Sequence, residues 1–174
     1  MSERMQCSDL SAGDRIGFKG PASTAWLAPR VPALPSQPNR LVVIAPDIVV
    51  GRLSASEYTI VSIAGAPCSL VERLRTAWHA ELPADCYMVP RLHSQALFRL
   101  EGERTFDLLA KMSPVDFRGK AFPEGAIAQT TCAKVVVQLY CLTRTNRPGV
   151  LVAVDSTLAT HLAECMADAM AEYS

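Results

Sequence analysis

The chain has 174 residues, 49% of them hydrophobic, and a positive mean hydropathy of +0.16, enough to bury a proper core as one domain or two tightly joined subdomains. Seventeen basic residues balance seventeen acidic ones, so a general electrostatic attraction to nucleic acid or to an anionic membrane has no support. The longest apolar stretches, such as Leu41 to Ala45 and Val150 to Val154, are too short to span a bilayer, and Met1-Ser2-Glu3-Arg4 lacks a signal-like apolar region. A cytoplasmic location is expected.

The first 39 residues differ from all that follow. Pro21, Pro29, Pro32, Pro35 and Pro38 recur among small residues, with almost no periodic apolar face. Proline removes a donor and fixes φ, so residues 1–39 are expected to form an extended proline-rich arm with no core of its own. Trp26 and Leu27 give it something to bury against a neighbour. A disordered tail and an arm that wraps a partner subunit both stay open.

From Leu41 the pattern becomes regular, and residues 40–174 read as one domain with subdomains 40–95 and 96–174. Leu41 to Ala45 and Ile48 to Leu53 predict short strands, Ser54 to Glu57 a turn, and Tyr58 to Ala64 a strand. Ser69 and Glu72 have capping-box spacing ahead of a helix whose apolar stripe is Leu70, Val71, Leu74, Ala77 and Trp78, and Pro83 stops it near Leu82.

Ala96 to Glu101 predicts another strand, Gly102 a tight turn, and Phe106, Leu109 and Ala110 a short helix that Pro114 ends by Ser113. Asp116, Gly119, Pro123 and Gly125 punctuate a loop with Phe122 as its apolar anchor. Two strands, Lys134 to Leu142 and Val150 to Val154, flank a Thr143 to Gly149 turn and lead into a helix from about Thr157. In that helix Leu158, Leu162, Cys165 or Met166, and Ala169 face the core. Two units of paired strands followed by a helix predict an α+β fold with antiparallel sheets and helices on one face, duplicated at the level of pattern.

The order of these signals resembles a known family. It is carried by Leu100 and Gly102 at the strand-to-helix turn, Leu108 and Leu109, and Pro114-Val115-Asp116-Phe117. Phe122-Pro123 with Gly125, then Thr130, Leu151-Val152 and Ser156-Thr157-Leu158 complete it. The stretch is similar to the gamma subunits of heterotetrameric sarcosine oxidases and, more distantly, to the aminomethyltransferase (glycine-cleavage T-protein) folate-binding fold. Glu103-Arg104-Thr105 and Asp155 depart from the family pattern. The resemblance implies a non-catalytic assembly subunit for the oxidative demethylation of sarcosine, with alpha, beta and delta subunits as partners. FAD, FMN, NAD and tetrahydrofolate are then expected in the partner subunits. The equivalent subunit of an N-methylglutamate dehydrogenase, or a stand-alone folate-binding protein, are the alternatives.

No catalytic, cofactor-binding or metal-binding residue is expected in this chain. Asp116, Phe122, Pro123 and Gly125 are read as a structural loop, Asp116 fixing it by accepting backbone N–H bonds. His79-Ala80-Glu81 with Cys86 mimics part of a zinc-deaminase motif but lacks the Cys-x-x-Cys pair that completes the site. The glycines form neither GxGxxG nor GxxxxGK[ST]. His93 and His161 read as solvated, and Asp155, Ser156 and His161, as sequence neighbours, do not make a triad. Cys7, Cys68, Cys86, Cys132, Cys141 and Cys165 lack metal-ligand spacing and read as reduced, mostly buried thiols.

Overall fold

The computed structural model describes residues 5–143 and 147–173. Its elements in chain order are Gln6–Asp9 (β1), Arg15–Lys19 (β2), Ser23–Leu27 (α1), Arg40–Ala45 (β3), Ile48–Ser54 (β4), Glu57–Ser62 (β5) and Ser69–Glu81 (α2). Then come Tyr87–Pro90 (β6), Gln95–Glu101 (β7), Thr105–Met112 (α3), Ile127–Cys132 (β8), Val135–Cys141 (β9), Gly149–Asp155 (β10) and Ala159–Ala171 (α4). Short 3-10 turns occupy Gly119–Ala121 and Ser156–Leu158. The expected α+β class with two antiparallel sheets is what the chain adopts: one sheet runs β1-β7-β10-β9-β8, the other β3-β4-β5-β2-β6.

The chain divides into two compact units, Met1–Ser11 with Gln95–Ser174, and Ala12–Ser94. In the first, alternate residues of β7 and β10 meet across the ladder, Val150 opposite Leu100, Val152 opposite Phe98 and Val154 opposite Ala96. The period-2 alternation of a strand puts all six on one face. There they join Leu108 and Leu109 of α3 and Leu162 and Met166 of α4 in one core. Met166, and not Cys165, is the buried member of that pair, and Leu158 is exposed on its 3-10 turn. In the second unit Ile16 lies opposite Ile60 and Phe18 opposite Tyr58, and all four pack with Leu70, Val71 and Leu74 of α2.

Residues 5–39 are not an extended arm. They hold β1, β2 and α1, and β2 lies inside its sheet between β5 and β6. Trp26 and Leu27 are buried within the second unit, with the Phe18 and Trp26 rings 4.8 Å apart. The prolines bound these elements without interrupting them: Pro21 precedes α1, and Pro29 to Pro38 lie between α1 and β3. Residues 1–4 of the expected arm, and 144–146 of the expected Thr143 to Gly149 turn, lie outside the described residues.

The duplication also begins earlier than a 40–95 and 96–174 division. The series β1-β2-α1-β3-β4-β5-α2 recurs as β6-β7-α3-β8-β9-β10-α4. Written from the short edge, the sheets are β1-β7-β10-β9-β8 and β6-β2-β5-β4-β3, so the two repeats have exchanged their first strands. Strand β8 makes the second repeat a three-strand meander, where two strands were expected.

Local signals also shift. The Ser69–Glu72 capping box does not form: Cys68 is the N-cap of α2, and its N–H donates to the Asp14 carboxylate at 2.7 Å. Helix α2 ends at Glu81, with Leu82 left-handed at φ 42° and its N–H donating to the Trp78 carbonyl.

Candidate functional site

The loop after α3 is built by backbone restriction and an aromatic anchor. Ser113 is extended ahead of Pro114, as the proline ring requires, and helix α3 stops there. Asp116 accepts the Arg118 backbone N–H at 3.0 Å and Arg118 Nε at 2.9 Å. These bonds, the side-chain ones first, hold its carboxyl below the usual carboxylate range. Phe122 packs against Phe117 at 5.0 Å and Phe106 at 6.5 Å, both edge-on. The Pro123 carbonyl accepts the Ala126 N–H at 2.9 Å, and Gly125, at φ 77°, donates its N–H to the Cys141 carbonyl at 3.0 Å. Asp116, Phe122, Pro123 and Gly125 thus lie on one loop tied to β9.

Two buried thiols of this unit, Cys141 beside the loop and Cys132 at the end of β8, are held in the protonated form. Burial, aided by the Glu124 charge, pushes Cys141 up to about 12, and burial with nearby Cys165 pushes Cys132 up to about 11. Glu124 itself accepts the Thr143 N–H with both oxygens, at 3.0 and 2.9 Å.

The remaining sequence candidates are not brought together. His79 is exposed at the end of α2, whereas Glu81 accepts Trp26 Nε1 at 2.8 Å and Arg30 Nη2 at 2.7 Å, and Cys86 is fully buried. Asp155 accepts the N–H and hydroxyl of Thr157, while His161 Nε2 contacts the Ala133 carbonyl at 3.2 Å, so no base and orienter pair exists. Among the described residues no group of three or more His, Cys, Asp or Glu side chains is arranged to hold a metal ion. No helix among them is long and apolar enough to cross a membrane.

His93 stands differently from the other two histidines. It shares the wall of a cavity in the second unit with Arg15, Arg75 and Arg91. Arg15 is the first residue of β2, Arg75 lies on α2, and Arg91 follows β6. Nothing in sequence spacing joins these three: the register of β2 against β6, with Ile16 opposite Pro90, brings Arg15 near Arg91, and the packing of α2 on β2 brings Arg75. A second cavity, about 420 Å³, lies on the first unit among Met5, Cys7, Ala163, Ala167, Met170 and Tyr173. Its lining is mostly apolar, with Cys7 and Tyr173 as the residues that carry polar side-chain atoms.

No protein-family model matches this chain, and no curated protein matches it by sequence. Solved structures do. A chain of the heterotetrameric sarcosine oxidase from Corynebacterium sp. U-96, solved in complex with pyrrole 2-carboxylate, superposes with a TM-score of 0.81 at 20% identity, over 98% of this chain and 85% of that one. The glycine cleavage system aminomethyltransferase T from Bartonella henselae gives 0.71 at 16% identity, over 95% of this chain and 46% of that one. The chain therefore spans less than half of the aminomethyltransferase. At these identities the likeness is one of fold, and at that level it agrees with the resemblance read from the sequence.

Proposed function

We propose that this chain is a non-catalytic assembly subunit, of gamma type, in an oxidoreductase complex related to heterotetrameric sarcosine oxidase, working in the cytoplasm. The observation that carries the reading is coverage: the fold match takes in nearly the whole of both chains for the sarcosine oxidase, but less than half of the aminomethyltransferase. A chain of matching extent suits a subunit better than a shortened enzyme. Alpha, beta and delta subunits are the partners in this reading, and FAD, FMN, NAD and tetrahydrofolate belong to them.

Co-expression tests the proposal. The tagged chain is expressed with candidate flavin-bearing subunits of a sarcosine oxidase and, in parallel, of an N-methylglutamate dehydrogenase. The expected result is a stoichiometric complex with sarcosine-dependent turnover that the isolated chain lacks. Assembly only with the N-methylglutamate set would move the chain to that complex. Turnover or a stoichiometric folate in the isolated chain would replace the subunit reading with a stand-alone folate protein.

A further inference from the structure

We propose that the first unit carries a binding site for a small planar aromatic ligand of the indole class, in the cavity between β1 and α4. The internal repeat shows what belongs there. Gly20 and Gly102 both hold a positive φ, at 128° and 139°, and each accepts on its carbonyl the N–H of the residue that opens the next helix, Ser23 and Thr105. Two residues earlier Phe18 corresponds to Leu100, and their ladder partners follow. Met88 corresponds to Cys7 on the edge strand, and Tyr58 to Val150 on the other side. The same spacing carries on without insertion to Leu70 and Leu162 and to Leu74 and Met166, buried pairs that face the two cores. Trp78 therefore corresponds to Met170, and Cys86 to Met5.

In the second unit this place is filled. Trp78 and Met88 both pack on the core, and the Trp78 indole donates its Nε1 proton to the Cys86 carbonyl at 2.8 Å. In the first unit Met170 replaces the tryptophan, and Ala163, Ala167 and Ala171 stand where the second unit has Val71, Arg75 and His79. The lost side-chain volume leaves the cavity of about 420 Å³ that these four residues line with Met5, Cys7 and Tyr173. That volume suits a small organic molecule.

The filled repeat also gives the chemistry of the ligand. Met170 offers a polarizable thioether, which packs well on an aromatic ring. The Tyr173 ring is a second aromatic partner, held in place by Lys111 Nζ at 4.6 Å and the Arg104 guanidinium at 5.8 Å from its centre. Met5 turns its Sδ to Thr105 Oγ1 at 3.9 Å, and its carbonyl takes the position of the Cys86 carbonyl that receives the Trp78 proton. A flat ring system bearing one N–H donor meets both the apolar wall and that acceptor. The inference concerns a cavity of the first unit and does not rest on the proposed assembly.

Isothermal titration calorimetry of the full chain with indole and 1-methylindole tests it, together with the rate at which a maleimide modifies the exposed Cys7. Indole is expected to bind saturably at one site and to slow the modification of Cys7. 1-Methylindole lacks the donor and is expected to bind about tenfold more weakly, the worth of one hydrogen bond. Met170→Trp fills the cavity as Trp78 fills its counterpart and is expected to abolish indole binding. Ala167→Leu, at an exposed position that tolerates change, narrows the cavity and is expected to weaken indole about tenfold or more. Absence of saturable indole binding, binding that leaves Cys7 modification unchanged, equal affinity for 1-methylindole, or unchanged indole affinity in both variants would each overturn the proposal.

Discussion

Gly125 sits at φ 77°, in the left-handed region where a side chain is strained, and its N–H is committed to β9. A β-branched residue there is worse than most, so Gly125→Val is expected to cost roughly 1–3 kcal/mol and to lower the melting temperature accordingly. Asp116→Ala removes only exposed local bonds to Arg118 and should melt near wild type. Thermal melts of the two variants check this, and equal temperatures would contradict it. Both residues were legible in the sequence, because turn chemistry depends on neighbours alone. Arg15, Arg75 and Arg91 were not. They stand in three separate segments, and only the β2–β6 register and the packing of α2 on β2 bring them to one wall.

Among the elements, α1 shows how a segment unstable alone is fixed by another. Five residues cannot sustain a helix in water. Trp26 Nε1 and Arg30 Nη2 both donate to the Glu81 carboxylate at the end of α2, and the Arg30 guanidinium lies 4.5 Å from the centre of the Trp26 ring. Bonds from Arg30, then Trp26, hold Glu81 below its ordinary value of 4.5. A depressed carboxyl pKa contributes stability that is fully present above the ordinary value and is lost as pH falls through the folded one. Wild type is therefore expected to melt above Glu81→Gln at neutral pH, with the gap closing only well into acid. A gap that is constant across that range would show that charge plays no part. Nothing in Ser23–Leu27 itself signals a helix: it has no side-chain cap, and Glu81, distant in sequence, is what Trp26 and Arg30 bind. β1 and β6 leave little signal for a related reason, since each is an edge strand of four residues, too short to show a period, while β8 at the other edge carries Gln129, Thr130 and Thr131 where an apolar alternation would stand.

On the scale of the whole chain, the regular stretch from Leu41 onward gave the fold class, because long strands paired in hairpins keep their period. Composition does not report the domain division here: prolines mark where the chain turns, and the short segments before and between them still bury Ile16, Phe18, Trp26, Leu27 and Val31. Those five apolar side chains, at about 2 kcal/mol each, represent on the order of 10 kcal/mol of burial, comparable to the roughly 5–15 kcal/mol that holds a typical domain folded. Strand β2 also supplies the ladder partner of both β5 and β6. Deleting residues 1–37 is therefore expected to unfold the Ala12–Ser94 unit, and not to leave a folded domain with a weakened partner surface. Deleting only residues 1–10 removes β1 and exposes the edge of β7, leaving the core of β2, β4, β5 and α2 intact. The short truncation should retain most far-UV circular dichroism and a cooperative melt, with increased self-association through the bare edge. The long one should lose much of both. A cooperative, near-native melt of the 1–37 deletion would show that the segment contributes little to the fold, and would restore the reading of it as an arm.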